Sequence, residues 1–323
     1  MKAVICTGYG PPGILKIEST GKPVPKENEV LVKVKAAPVN AGDWHVLKGE
    51  PFLVRFVFGL TKPKHRIPGS DFAGVVKEVG SSVTKFKSGD EVFGYMANNG
   101  FGTYAGYVCA PENVISHKPA NASFEEAASL PVSAMTPLQA LRDHGNIKKG
   151  QDVLINGASG GVGSFAVQIA KSYGVNVTGV CSTANVEYVK SLGADEVIDY
   201  KIEDFTKTGK RYDLIIDTAA HHSLSDYKKV LKPSGRYVMI GGPVSNLLKI
   251  MLFGGMMGSG GRKLSNMLMK FNQEDMDVLK SLYEEEKLKV HINKKFPLIE
   301  INEAFEYYEK GGVNGKIVVK TEE

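Results

Sequence analysis

One stretch constrains what this chain can fold into more than any other. Asp152-Val-Leu-Ile-Asn156 has the make-up of a short buried strand, and Gly157-Ala-Ser-Gly-Gly-Val-Gly163 follows at once. Ser164–Tyr173 then carries Phe165, Val167, Ile169 and Ala170 at helical spacing and is closed by Gly174. A strand that turns through glycines straight into a helix leaves backbone N–H groups pointing outward, backed by the positive end of the helix dipole. Gly157, Gly160, Gly161 and Gly163 stand where side chains would obstruct a pyrophosphate. A glycine cluster alone is weak evidence, because tight turns also use glycine. Here a second strand, Val175–Val180, ends about 20 residues further on, which is the frame a dinucleotide fold demands.

The alternation continues downstream. Val186–Leu192 reads as a helix, and Glu196–Asp199, Tyr212–Asp217 and Tyr237–Ile240 read as strands, the last running into Gly241-Gly242. Strands alternating with helices imply a doubly wound parallel sheet. Upstream of a capping box at Ser123-Phe-Glu-Glu126 the chain is β-rich instead, with short strands at Val30–Lys35, Gly74–Val79, Glu91–Gly94 and Thr103–Val108. Turn signals at Pro11-Pro12-Gly13, Ser88-Gly89-Asp90 and Asn98-Asn99-Gly100 separate them and point to an antiparallel barrel or sandwich. A tail after Lys270 reads helix (Gln273–Leu288), strand, helix, strand (Lys316–Lys320), too little to hold its own core, so it is assigned back to the first domain. The expected division is 1–121, 122–270 and 271–323, in a chain whose 323 residues exceed the ~250–300 at which one core stops growing.

Charge and apolar runs narrow the function. The net charge of +5 is spread over 40 basic and 35 acidic residues without a concentrated stripe, so nucleic acid is not an expected partner. The longest apolar runs, Pro51–Leu60 and Leu247–Gly258, fall short of the ~18–20 residues that span a bilayer. The start, MKAVICTGYG, does not read as a signal peptide. Three widely spaced cysteines, Cys6, Cys109 and Cys181, fit free thiols in a reducing cytoplasm.

The end of the second strand bears on the cofactor. NAD-preferring folds place an acid there for the ribose 2′-hydroxyl. Cys181, Ser182 and Thr183 hold that place, with no acid until Glu187, which favours NADPH over NADH. Lys190 and Arg211 are the candidate phosphate cations.

Several segments together resemble the zinc-free quinone oxidoreductase branch of the medium-chain dehydrogenase/reductase superfamily. They are Val39-Asn-Ala-Gly-Asp-Trp44, Pro68-Gly-Ser-Asp-Phe-Ala-Gly74, Gly89-Asp-Glu-Val92, Leu130-Pro131 with Thr136, Asn156–Gly163, Leu192–Tyr200 and Gly315-Lys-Ile-Val318. The resemblance implies an α/β protein, a GroES-like β-barrel catalytic domain built from both termini plus a Rossmann dinucleotide domain, and a homodimer. It also implies that Thr136 faces the nicotinamide, and that Ser159, Gly160, Gly161, Val162 and Gly163 cradle the pyrophosphate. Ser182, Thr183 and Tyr200 are implied at the 2′-phosphate, Ile240, Gly241 and Gly242 at the carboxamide, and Lys316 at the cofactor. Ala184 is a departure, since NADPH-using relatives often carry Arg or Lys there. Where zinc relatives place metal ligands this chain has Asn40 and Ser70-Asp71, and Gly89–Val108 lacks the structural zinc cysteines, so no metal is expected.

Without a metal to polarise an alcohol, hydride transfer to a quinone or an α,β-unsaturated carbonyl is the expected reaction. Asn40 is a candidate donor to the developing oxyanion, Asp43 a candidate organiser of its loop, and His45 a conceivable proton donor. Phe52, Leu53, Phe56, Val57 and Phe58, with Leu247, Leu248, Met251, Leu252, Phe253, Met256 and Met257, are candidate walls for a bulky apolar acceptor. Tyr283-Glu-Glu-Glu-Lys287 matches the Tyr-x-x-x-Lys pattern of short-chain reductases but reads as a solvated helix face. The alternatives are an enoyl-thioester reductase and an NADPH-sensing scaffold.

Overall fold

The computed structural model describes residues 1–253 and 259–321. They form two compact units. One comprises Met1–Val132, Phe271–Glu284 and Val290–Glu323, the other Ser133–Lys270 and Glu285–Lys289.

The first unit is built on the long strand Glu29–Val39, whose valines and alanines are buried on both faces. It pairs antiparallel with Asp71–Val79, Tyr107–Pro111 and Lys316–Lys320. The mixed seven-stranded sheet runs Ile292–Pro297, Lys316–Lys320, Glu29–Val39, Asp71–Val79, Glu91–Tyr95, Ile115–His117, with Tyr107–Pro111 on a branch. The strand expected at Thr103–Val108 begins only at Tyr107, because Thr103 and Tyr104 give their N–H groups to the Gly69 and Pro68 carbonyls. Val39, Tyr104, Phe296, Phe305, Ile317 and Val319 share one buried cluster, so the C-terminal strand is part of the same core as the N-terminal ones. Its register sets Ile317 opposite Val39, which brings Lys316 beside Asn40.

The second unit is a six-stranded parallel sheet ordered Glu196–Asp199, Asn176–Cys181, Asp152–Asn156, Tyr212–Asp217, Leu231–Met239, Lys263–Asn266. After Asp152–Asn156 the chain builds outward to one edge, then returns to add Tyr212–Asp217 on the other side. The order therefore reverses at Asp152–Asn156, and doubly wound sheets bind ligands at the carboxyl ends of the strands flanking such a point. Helix Gly161–Ser172 buries every residue from Gly163 to Ala170, so it is covered on its outer side as well as on the face toward the sheet.

One sequence expectation needs correcting here. Tyr283 is buried rather than on a solvated face, and burial beside Glu126 pushes its hydroxyl pKa upward. The helix also stops at Glu284, before Lys287, so the Tyr-x-x-x-Lys spacing does not put the two on one helix.

Candidate functional site

The glycine loop of the second unit is held from both sides. Gly157 takes φ +77°, which an L side chain rarely adopts, and the Gly157 and Ala158 N–H groups both bond the Val180 carbonyl. Gly160 caps helix Gly161–Ser172, whose first-turn N–H groups have no partner within the helix. A Cβ on Gly163 would sit 2.0 Å from the Gly157 carbonyl oxygen, so only glycine lets the helix start this close to the loop.

Sequence reading missed what fixes the loop from below. Asp217, buried at the end of its strand, accepts from Asn156 Nδ2 (2.9 Å) and from the Tyr237 hydroxyl (2.9 Å). Burial raises the Asp217 pKa, while those bonds act to lower it. The Thr218 hydroxyl donates to the Asn156 carbonyl at 2.8 Å, and the Ile240 N–H donates to the Asp217 carbonyl at 2.8 Å. Ile240, Gly241 and Gly242 thus line up with the glycine loop along the same end of the sheet. Thr136 is buried on helix Pro131–Gln139.

Ser182, Thr183 and Tyr200 gather at the ends of two neighbouring strands, where Asp199 pairs with Cys181 and the Tyr200 N–H bonds the Cys181 carbonyl. The register also brings an acid that no spacing along the chain revealed. Asp199 lies beside Thr183, whose hydroxyl, with the Lys201 N–H at 3.0 Å, holds the carboxylate below its usual pKa. Lys190, a candidate phosphate cation, is paired with Glu187 at 2.8 Å.

The first unit contains a buried polar cluster of Asn40, Asp43, Ser70, Asp71, Tyr104 and Lys316. Lys316 Nζ donates to Asn40 Oδ1 at 2.5 Å, and Asn40 Nδ2 donates to Ser70 Oγ (3.1 Å) and Asp71 Oδ2 (3.0 Å). An ammonium only donates and a carboxylate only accepts, so the amide can face just one way. Asp43 Oδ2 accepts from the Asn40 backbone N–H (3.2 Å) and the Ser70 hydroxyl (3.2 Å). Burial raises the Asp43 pKa to about 6. It pushes Asp71 upward and Lys316 downward as well, with each moderating the other. Both Asn40 amide hydrogens are spent on Ser70 and Asp71, so donation to an oxyanion requires giving up one of those bonds. His45 lies outside the cluster, its ring nitrogen 2.7 Å from the Glu50 carbonyl oxygen.

Asp43 Oδ1 and Asp71 Oδ1 are buried without a partner. Asp43 also borders a narrow apolar pocket walled by Val46, Leu47, Phe58, Pro63 and Phe101. Phe52, Leu53, Phe56 and Val57 are exposed on the short helix beside it, as are Leu248, Met251 and Leu252 in the other unit. The Phe253 side chain, Met256 and Met257 lie outside the described residues. Among the described residues no three His, Cys, Asp or Glu side chains converge as a metal site, and no helix is long and apolar enough to cross a membrane.

A GroES-like unit assembled from both chain ends, with a parallel-sheet unit that turns from strand to helix through a glycine loop, is the architecture of a nicotinamide-dependent oxidoreductase. Comparison with known proteins agrees. Residues 26–120 match the family model "Alcohol dehydrogenase GroES-like domain" and residues 192–319 the model "Zinc-binding dehydrogenase". The chain is 35% identical to the quinone-oxidoreductase homolog, chloroplastic, of Spinacia oleracea, over 99% of this chain and 98% of the relative. It is 34% identical to the NADPH-dependent alkenal/one oxidoreductase, chloroplastic, of Arabidopsis thaliana, over 99% of this chain and 79% of the relative. The solved quinone oxidoreductase from Coxiella burnetii superposes with a TM-score of 0.89 at 34% identity, covering 100% of this chain and 99% of that one. The chain belongs to the medium-chain dehydrogenase/reductase superfamily.

Proposed function

We propose that this protein is a zinc-independent, NADPH-dependent reductase of quinones and α,β-unsaturated carbonyl compounds. The observation that carries the metal-free reading is the cluster around Asn40. The positions that resemble zinc ligands in relatives hold an amide, a hydroxyl and a carboxylate, bonded to one another through Asn40 Nδ2 and to the ammonium of Lys316 through Asn40 Oδ1, with one oxygen of Asp71 left unpartnered. A cation is thus built into the place by the chain itself. The cradle residues fit a dinucleotide, since the glycines clear the approach to the helix start and Ser159 and Ser182 add hydroxyls beside it.

Bound nicotinamide would supply a hydride. The chain's own residues bind and orient: the 161–163 amides hold phosphate, Ile240–Gly242 offer backbone to the carboxamide, and Asn40 and Asp43 act as positioning residues that lock the start of helix Ala41–Lys48. A conjugated acceptor fits such a site because its developing charge is delocalised and needs hydrogen-bond donors rather than a Lewis acid. The names of the spinach and Arabidopsis relatives support the same substrate class. Three free cysteines support a reducing compartment, and a homodimer is the family expectation, checked by light scattering.

The test is a turnover screen of NADPH and NADH against ortho- and para-quinones, 2-alkenals, enones and enoyl thioesters, with metal analysis of the same sample. NADPH-driven reduction of quinones or enones at substoichiometric zinc is expected. Stoichiometric zinc, or turnover confined to simple alcohols, overturns the proposal, and thioester-only turnover favours the acyl reductase alternative. Tight NADPH binding with no turnover points to a sensor.

The exposed rings of Phe52 and Phe56, edge to face at 5.5 Å, add a second prediction. Phe56→Ala should raise KM for apolar quinones by about tenfold, roughly the value of one lost aromatic contact, with kcat little changed. An unchanged KM would remove this helix from the acceptor site.

A further inference from the structure

A nearly buried amide sits behind the two hydroxyls of the cofactor cradle. Asn185, 6% exposed, caps the helix Val186–Ser191. Its Nδ2 donates one hydrogen to Ser159 Oγ at 3.2 Å and the other to Ser182 Oγ at 3.2 Å. Ser159 belongs to the glycine loop and Ser182 to the end of the next strand, so a single side chain ties the two together.

The sense of these bonds decides what the serines can do. An amide nitrogen only donates, so each serine oxygen is held as an acceptor on its inner side. Each hydroxyl proton must then find its acceptor elsewhere, and among the described residues neither hydroxyl donates to a protein group. Both oxygens lie within 3.2 Å of one nitrogen, close enough together for one phosphate to accept from both. Thr183 is different, because it lies beside Asp199, whose carboxylate it helps hold below the usual pKa.

We propose that Asn185 is the residue that sets cofactor specificity, by holding Ser159 and Ser182 as a pair of outward donors for the 2′-phosphate of NADPH, so that the Ser159 hydroxyl serves that phosphate rather than the pyrophosphate the family resemblance implies for it. This deepens the NADPH reading above and rests on it. A phosphate accepts only and offers several oxygens, so it takes both donors, and bonds to an ionised acceptor are the stronger kind. A ribose 2′-hydroxyl has one oxygen and gains less from two donors. Asn185 acts through the serines and is a positioning residue.

Asn185→Asp is the discriminating variant. A carboxylate accepts where the amide donates, so both serine hydroxyls turn inward, and a negative charge is added behind them. Equilibrium affinities for NADPH, NADH, 2′-AMP and 5′-AMP are measured by calorimetry, together with the melting temperature. The wild type should prefer NADPH over NADH and 2′-AMP over 5′-AMP. In Asn185→Asp, NADPH and 2′-AMP should weaken by about tenfold or more while NADH changes by less than about threefold. Asn185→Ala, which frees the serines without adding charge, should lower the preference by less and serves if the aspartate variant does not fold. A preference that survives substitution, or a parallel loss for both nicotinamides, overturns the role of Asn185. A wild type without any 2′-phosphate preference overturns the NADPH reading itself and this inference with it.

Discussion

Lys316→Met is expected to lower the unfolding free energy by about 3–5 kcal/mol, the cost of leaving buried charges without their partner. Lys316 is 4% exposed, and the carboxylates of Asp43 and Asp71 beside it are as deeply buried. Methionine replaces the aliphatic stem but not the ammonium, so two carboxyl groups must share the space without a cation. The pH dependence carries the sharper signature. Asp43 has a native pKa of about 6 against a reference of 3.8, and Asp71 shifts the same way. A carboxyl whose native pKa is raised contributes stability that is complete below the unfolded value and lost as pH rises through the native one. Lys316, with its pKa depressed, has the opposite sign: its contribution is complete above the unfolded value and lost as pH falls through the native one. Removing the lysine leaves only the carboxyl dependence and steepens it. Urea midpoints at pH 5 and pH 8 should therefore show the variant's deficit growing with pH. Adding Asp43→Asn and Asp71→Asn to Lys316→Met should restore much of the loss. A deficit below about 1 kcal/mol, or one independent of pH, would show that the ammonium does not compensate these carboxylates.

This cluster also marks where sequence reading ran out. The strand–loop–helix frame around Gly157–Gly163 was legible because all its parts are adjacent and each obeys a local rule of periodicity or capping. Asn40 and Asp43 stand out in the sequence as a candidate oxyanion donor and a loop organiser, and Ser70 and Asp71 only as positions lacking metal ligands. What joins them is tertiary. Lys316 reaches Asn40 across 276 residues because the final strand docks on Glu29–Val39; the resemblance implies Lys316 at the cofactor but gives no sign of its bond to Asn40. Asp199 was passed over for a similar reason. Counting along the chain from Thr183 meets Glu187 first, whereas in the sheet the strand Glu196–Asp199 lies directly alongside and delivers its last residue to Cys181. Asn185 and Asp217 read as ordinary polar residues because their importance is in which hydrogens they donate or accept, and no local pattern encodes that.

The glycines of the cradle separate what the fold needs from what the ligand needs. Gly163→Ala should weaken binding of the nicotinamide cofactor by about a hundredfold, near 2.7 kcal/mol, and lower the melting temperature as well. Its Cβ would lie 2.0 Å from the Gly157 carbonyl oxygen and 2.9 Å from Ala158 Cα, both backbone atoms that no side-chain rotation can move aside. The helix start must then back away from the loop, carrying its exposed N–H groups out of line with the phosphate. Gly160 is the contrasting case. A Cβ there would meet nothing nearer than the Gly157 carbonyl oxygen at 3.6 Å, and its φ of −73° suits any residue. Gly160→Ala should therefore melt like the wild type. If pyrophosphate passes over this residue, the added methyl group occupies the ligand's space, and NADPH affinity should fall by about tenfold with no loss of stability. Calorimetry and thermal melts on the two variants resolve the matter. Full affinity in Gly160→Ala would mean that the phosphates lie elsewhere, and wild-type stability in Gly163→Ala would mean that the loop and helix can part without cost.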